Sequence, residues 1–262
     1  MDYNYHTHTI WCDHATGEPS EYIERAIQNG IKYMGFSEHV PFVFPDGFRS
    51  HFRVAVEKAE EYVTEIKKIA KKYKGQIEIK VGFEMEYYPS HFNKMLENAI
   101  NSGAEYLILG QHYIYEEHPK GKSAVRGKTE KTEDLKDYVA CVCTGIKSGV
   151  FSYVAHPDMI NFAGDKEIYR QEMIKICQTS KEYNIPLEIN FLGIRGNRIY
   201  PREDFWQLVG EVGSPVTFGF DAHDAKNAYD GESLIKAKEL VKKYNLNYIG
   251  KPKLIELTKP EI

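Results

Sequence analysis

Short apolar runs alternate with amphipathic stretches along the whole chain. The runs at 2–6, 33–37, 79–84, 106–110, 151–155, 187–191 and 216–221 are rich in Ile, Val, Tyr and Phe, as strands buried on both faces of a parallel sheet are. Between them, apolar residues recur at helical spacing. Ala55, Ala59, Tyr62, Val63, Ile66, Ile69, Ala70 and Tyr73 form one stripe, and Gly75 follows as a stop. Leu135, Tyr138, Val139, Val142 and Ile146 form a second stripe before Gly149; Leu234, Ala237, Leu240, Val241 and Tyr244 form a third before Asn245. Ser20 is expected to cap a further helix, and Pro201 to sit in the first turn of another. Strands alternating with helices imply parallel pairing through right-handed crossovers. Seven such units without a break in composition favour one closed barrel domain over 1–262, with an open doubly wound sheet as the alternative. The polar loop 115–131 is the expected mobile lid.

The metal-capable side chains fall at one phase of this pattern. His6 and His8, His39, Glu84, His112, His156, and Asp221 with His223 each sit at the C-terminal end of an expected strand. A β/α barrel gathers its active-site residues on that rim, where the loops converge. Core or surface histidines scattered without a common role would not repeat the phase. His6 and His8 are two apart on an extended run, so both imidazoles project from the same face, and Asp221 with His223 repeats the spacing. Mixed imidazole and carboxylate donors suit zinc, iron or manganese, and so many nitrogens suit magnesium or calcium poorly. His51 and His91 open expected helices and His118 lies in the polar loop, so all three read as exposed.

Composition narrows the class further. A hydrophobic fraction of 42% and a charged fraction of 27% in 262 residues are ordinary for a globular chain that buries its own core. The net charge of -4 and the lack of a basic stripe weigh against nucleic acid as the main partner. Cys12, Cys141, Cys143 and Cys177 include no CxxC, and Cys141 and Cys143 fall on different helix faces. Four free thiols fit a reducing cytoplasm. No secretory leader is expected from so polar an N-terminus, and no apolar run reaches the roughly 20 residues that span a bilayer.

Taken in order, His6-Thr7-His8, His14, Glu38-His39, Gly82-Phe83-Glu84, His112, His156-Pro157 and Asp221-Ala222-His223 resemble the successive motifs of the PHP (polymerase and histidinol phosphatase) superfamily. The motifs run from end to end of the chain. With no extra domain, and with Glu38-His39-Val40-Pro41-Phe42 followed by Pro45-Asp46-Gly47-Phe48-Arg49, the chain is similar to the stand-alone histidinol-phosphate phosphatases. The resemblance implies an α/β fold, a distorted (β/α)7 barrel, holding up to three divalent transition-metal ions. By motif, one ion would take His6, His8, Glu84 and Asp221. A second would take Glu84, His112 and His156, and a third His14, His39 and His223. One departure is Gly110-Gln111-His112, where many of these phosphatases read closer to Gly-Ser-Val-His.

The activity so implied is a phosphomonoesterase hydrolysing L-histidinol phosphate in histidine biosynthesis through a metal-bridging hydroxide, with no protein nucleophile required. Arg198 and Arg195, on the loop after the sixth strand, are the candidate phosphate grips, with Arg198 favoured. Asn190 and His39 are expected on the substrate wall. Asp158 is expected to hold a ligand histidine or to donate a proton. Glu116, Glu117 and Asp46 are candidates for the substrate amine. Two other readings remain: a related phosphoesterase acting on another small phosphorylated metabolite, phosphotyrosine or nucleic acid, and a metal-binding regulatory module without activity. Oligomeric state is left open.

Overall fold

The computed structural model describes residues 1–257, so 258–262 of the expected domain lie outside the described residues. β1 (Tyr3–Asn4), β2 (Tyr33–His39), β3 (Glu78–Met85) and β4 (Tyr106–Leu109) pair in parallel in chain order. β5 (Leu187–Asn190), β6 (Pro215–Gly219) and β7 (Asn247–Tyr248) form a second parallel run. Isolated parallel bridges join the two. Leu109–Val154 and Val154–Leu187 splice β4 to β5, and Thr7–Ala222 links the segments that follow β1 and β6. The result is a mixed α/β fold around a curled parallel sheet.

The expected strand 151–155 is reduced to one rung at Val154. Its backbone is still paired on both sides, with Ala155 N–H donating to Leu109 O at 2.8 Å and Val154 N–H to Pro186 O at 2.9 Å. The pairing is too short to form a regular ladder, because His156 turns into the left-handed region at φ 32° directly afterwards. β7 was not expected, since a two-residue pairing leaves no apolar run to read.

Eight helices flank the sheet among the described residues: α1 (Pro19–Gln28), α2 (Ala59–Lys72), α3 (Phe92–Asn101), α4 (Thr132–Lys147), α5 (Lys166–Tyr183), α6 (Phe191–Arg195), α7 (Glu203–Val212) and α8 (Gly231–Lys243). Gly75, Gly149 and Asn245 take positive φ after α2, α4 and α8, as the stop signals require. Two start signals are corrected. Glu18, not Ser20, caps α1: it forms a reciprocal capping box with Glu21, and Pro19 occupies the first turn. Pro201 precedes α7 instead of entering it, and Arg202 is the cap.

The main core packs the helix stripes against the sheet. A second core of Tyr3, Tyr5, Tyr106, Ile108, Tyr153 and Ala155 belongs to the strands alone. Tyr106 donates its hydroxyl to the carbonyls of Tyr5 at 2.8 Å and Phe36 at 3.2 Å, tying β4 across to the first two strand segments. Gly82 is required there, because a Cβ would lie 2.7 Å from the Tyr106 ring.

Candidate metal centre

The strand ends deliver their polar residues to one buried cluster centred on Glu84, the last-but-one residue of β3. Glu84 Oε1 lies 2.9 Å from His156 Nε2 and 3.4 Å from His112 Nε2. Its Oε2 lies 3.3 Å from His8 Nε2, 3.4 Å from His39 Nδ1 and 3.5 Å from His6 Nε2. Asp221 Oδ1 faces His223 Nδ1 at 3.2 Å, His6 Nε2 at 3.6 Å and His8 Nε2 at 3.8 Å. His14 joins through His223, with the two Nε2 atoms 2.9 Å apart. His156 and Asp221 both have positive φ, 32° and 46°. Such backbone costs about 1–3 kcal/mol in a non-glycine residue and is characteristic of positions whose side chain must be aimed.

Behind this layer stand three carboxylates: Glu86 and Glu188, which the sequence reading did not single out, and Glu38 of the Glu38-His39 motif. Glu188 accepts from His6 Nδ1–H at 2.8 Å, and also from the His156 backbone N–H and the Asn190 amide. Glu86 accepts from His112 Nδ1–H at 2.9 Å and is itself held by buried Arg53 at 2.9 Å. Glu38 stands 3.7 Å from His8 Nδ1 and accepts the Thr9 hydroxyl at 2.6 Å. Pinning one ring nitrogen fixes the tautomer and turns the other nitrogen inward. The signal for Glu188 was present: a charged residue inside an apolar strand, Leu187-Glu188-Ile189, is rarely buried without a partner.

The electrostatics call for positive charge. Burial by itself would lower the His6 pKa, yet Glu188, Asp221 and Glu84 outweigh it and raise it to about 10. His14, farther from the carboxylates, is lowered to about 4 by burial and by the neighbouring His8 and His223. Burial would raise Glu84, but the surrounding His112, His6 and His39 hold it well below the usual carboxylate range. His6 Nε2, both ring nitrogens of His8, His39 Nδ1 and Asp221 Oδ1 are buried with no hydrogen-bond partner among the described residues. Each such atom costs about 1–3 kcal/mol if left so, and a cation among them satisfies them together. Four triads place three donor atoms within 4.8 Å of one another: His8–His39–His223, His6–His8–Asp221, His6–Glu84–His156 and His39–Glu84–His112. Imidazole and carboxylate donors in these groups fit divalent transition metals. Of the third set expected from motif, His39 and His223 group with His8 within that distance, and His14 stands against His223. A fifth group, His8–Cys12–Glu38, brings in a cysteine the sequence reading left aside. Gly110 is required by the same packing, because a Cβ there would strike the Glu84 carboxylate.

A pocket of about 650 Å³ opens over the cluster, lined by His14, His39, Glu84, His112, His156, Asp221 and His223 on the inside and by Phe52, Tyr113, Arg126, Arg198 and Tyr200 farther out. His39 lines it. Arg198 is on the wall, with Nη1–H donating to Tyr200 Oη at 3.0 Å.

Several expected roles are corrected. Arg195 does not line the pocket: its guanidinium donates to the carbonyls of Phe220 at 2.6 Å and Asp221 at 2.5 Å, clamping the backbone behind Asp221. Asn190 is buried away from the pocket, donating to Glu188 and to Asp221 Oδ2 and capping α6 through the Gly193 N–H. Asp158 does not hold a ligand histidine: it accepts from the Arg202 N–H at 2.5 Å and the Trp206 indole at 3.0 Å, while His156 Nδ1 has no partner among the described residues. Burial pushes the Asp158 carboxyl up to about 7. Glu117 is buried against Arg53 at 2.6 Å, Glu116 accepts the Ser90 N–H, and Asp46 pairs with His118, so none of the three is on the pocket wall. Gln111 is pinned between Tyr87 N–H and Tyr113 O, away from the pocket. His51 opens no helix and stands exposed at the pocket mouth. The loop 115–131 is tied down rather than free: Ile114 N–H donates to Lys122 O, and Thr129 N–H to Asn161 O.

The PHP domain family model matches residues 4–191, and the chain belongs to that family. A probable histidinol-phosphatase of Deinococcus radiodurans is 27% identical over 225 residues, covering 83% of this chain and 85% of the relative. The histidinol-phosphatase of Bacillus subtilis is 25% identical, covering 84% and 92%. Among solved structures, the histidinol phosphate phosphatase of Lactococcus lactis, in complex with zinc, L-histidinol and phosphate, superposes with a TM-score of 0.71 at 21% identity, over 94% of this chain and 95% of that one. No helix among the described residues is long and apolar enough to cross a membrane.

Proposed function

We propose that this chain is a metal-dependent phosphomonoesterase that hydrolyses L-histidinol phosphate to L-histidinol and phosphate, working in the cytoplasm as a step of histidine biosynthesis. The observation that carries the reading is the buried cluster around Glu84 at the base of a pocket with an arginine on its wall. Relatives that align along most of their length support the substrate. On this reading the chain is one domain, 1–262, whose described residues form a distorted (β/α)7 barrel with its fifth rung at Val154 and its closure at Thr7–Ala222. His6, His8, His14, His39, Glu84, His112, His156, Asp221 and His223 would hold up to three zinc, iron or manganese ions. Such ions supply Lewis acidity, for activating water and for neutralising charge at the phosphoryl oxygens.

The chain's own groups do the rest. Arg198, oriented by Tyr200, offers a planar fork to two phosphoryl oxygens. Asn190 and Arg195 hold the Asp221 side chain and backbone from behind. Glu188 and Glu86 keep His6 and His112 in the tautomer that frees Nε2. The test is phosphate release from L-histidinol phosphate by zinc- or manganese-loaded protein, beside a panel of other phosphomonoesters. Preference for histidinol phosphate is expected, with loss of at least ~100-fold in His8→Ala and Glu84→Ala, the scale on which removing a group that stabilises developing charge acts. Equal activity across the panel, or turnover of another ester alone, would overturn the substrate assignment.

A further inference from the structure

Eight arginines occur in the chain. Arg49, Arg53, Arg170, Arg195 and Arg202 each meet a carboxylate within 4.0 Å. Among the described residues, Arg25, Arg126 and Arg198 do not. Arg25 lies on the exposed face of α1. The two that remain both line the pocket above the metal cluster, and they arrive from different loops. Among the described residues, the only carboxylates lining that pocket, Glu84 and Asp221, belong to the cluster itself. Its outer wall is therefore cationic and carries no acid to neutralise it.

Arg126 is also held in place. Ala124 N–H donates to the carbonyl of His112 at 2.8 Å, and the Ala124 carbonyl accepts from Asn161 N–H at 2.8 Å. Five residues on, Thr129 is fixed by bonds to Asn161 and Ala163 at 2.9 and 2.8 Å. The short span between these anchors carries Arg126, whose own N–H is capped by Ser123 Oγ at 3.0 Å. Ser123 and Val125 beside it line the pocket as well. A guanidinium with no partner among the described residues, carried to the mouth by a backbone anchored to a cluster histidine, is available to an anion in the pocket.

Building on the phosphatase reading, we propose that Arg126 is a second phosphate-gripping residue, closing on the phosphoryl oxygens of the substrate from the wall that Arg198 does not occupy. Inorganic phosphate is the probe. Its binding to zinc-loaded wild type, Arg126→Gln and Arg126→Lys is measured by calorimetry, alongside binding of L-histidinol and metal content. Charge-assisted hydrogen bonds set the scale: Arg126→Gln is expected to weaken phosphate about 10- to 100-fold, with L-histidinol affinity and metal content unchanged. Arg126→Lys, which keeps the charge and loses the fork, is expected to fall between. Unchanged phosphate affinity in Arg126→Gln would overturn the proposal, as would an equal loss for phosphate and L-histidinol, which marks a collapsed loop. Absence of phosphate binding to wild type would also overturn it. Arg126-dependent phosphate binding in a protein that leaves L-histidinol phosphate intact would uphold it while removing the substrate assignment.

Discussion

A ligand histidine is only as good as the group behind it. Glu188 accepts from His6, from the His156 backbone and from Asn190, so one buried carboxylate fixes parts of three strand ends at once. Glu188→Gln preserves the shape and removes the charge that opposes the desolvation of His6. Outer groups of this kind are worth roughly 10- to 100-fold in metal affinity. Zinc affinity of the Glu188→Gln protein, measured by competition with a chromophoric chelator, is expected to fall by that factor while the far-UV circular dichroism stays that of the wild type. Wild-type affinity would show that Glu188 serves packing alone. Apart from His14, which only the motif resemblance named, the clustered residues were legible in the sequence because His, Glu and Asp recurred at a fixed strand phase. The roles of Asn190, Asp158 and Arg195 were not, because sequence places a residue near a site without saying which way its side chain turns. Each of the three proved to be occupied by protein partners.

At the scale of elements, the segment 50–54, the end of β3 and the loop 115–131 meet at one arginine. Arg53 is 4% exposed and binds Glu86 at 2.9 Å and Glu117 at 2.6 Å, while Ser50 and Tyr88 also donate to Glu117. Removing one member of a buried ion network leaves the others charged and unpaired, at about 3–5 kcal/mol. Arg53→Ala is expected to lose stability of that order in urea unfolding and to be cleaved faster by protease within 115–131. A loop no more sensitive than wild type would show that the backbone bonds of Ile114 and Thr129 alone hold it. Polarity made that loop look like a free lid in the sequence. The error has a physical source: Glu117 is as hydrophilic buried beside Arg53 as it would be in water. Helix stripes and stops were readable because they are local, whereas the rung at Val154 and the pairing of β7 depend on neighbours distant in sequence.

For the whole molecule, the centre gathers unpartnered polar atoms where a stable fold would place apolar side chains. Among the described residues, atoms such as His8 Nε2 and Asp221 Oδ1 are buried without hydrogen bonds, so the bare protein folds against their desolvation and a bound ion would offset it. Ligand linkage gives the size: an ion present at 100 times its dissociation constant stabilises by about 2.7 kcal/mol. In a chain of this length each kcal/mol moves the melting temperature by roughly 2–4 °C, so stripping one ion is expected to lower Tm by roughly 5–10 °C. Differential scanning calorimetry before and after chelation, then after zinc or manganese is restored, measures it. Glu84→Ala supplies the control, because Glu84 contacts His6, His8, His39, His112 and His156. Without that hub only the donor sets that do not use Glu84 are left to the chelator, and the melting temperature of the variant is expected to shift by less than that of the wild type through the same cycle. A wild type indifferent to chelation, or a variant that responds as strongly as wild type, would mean that the ions bind somewhere other than this centre.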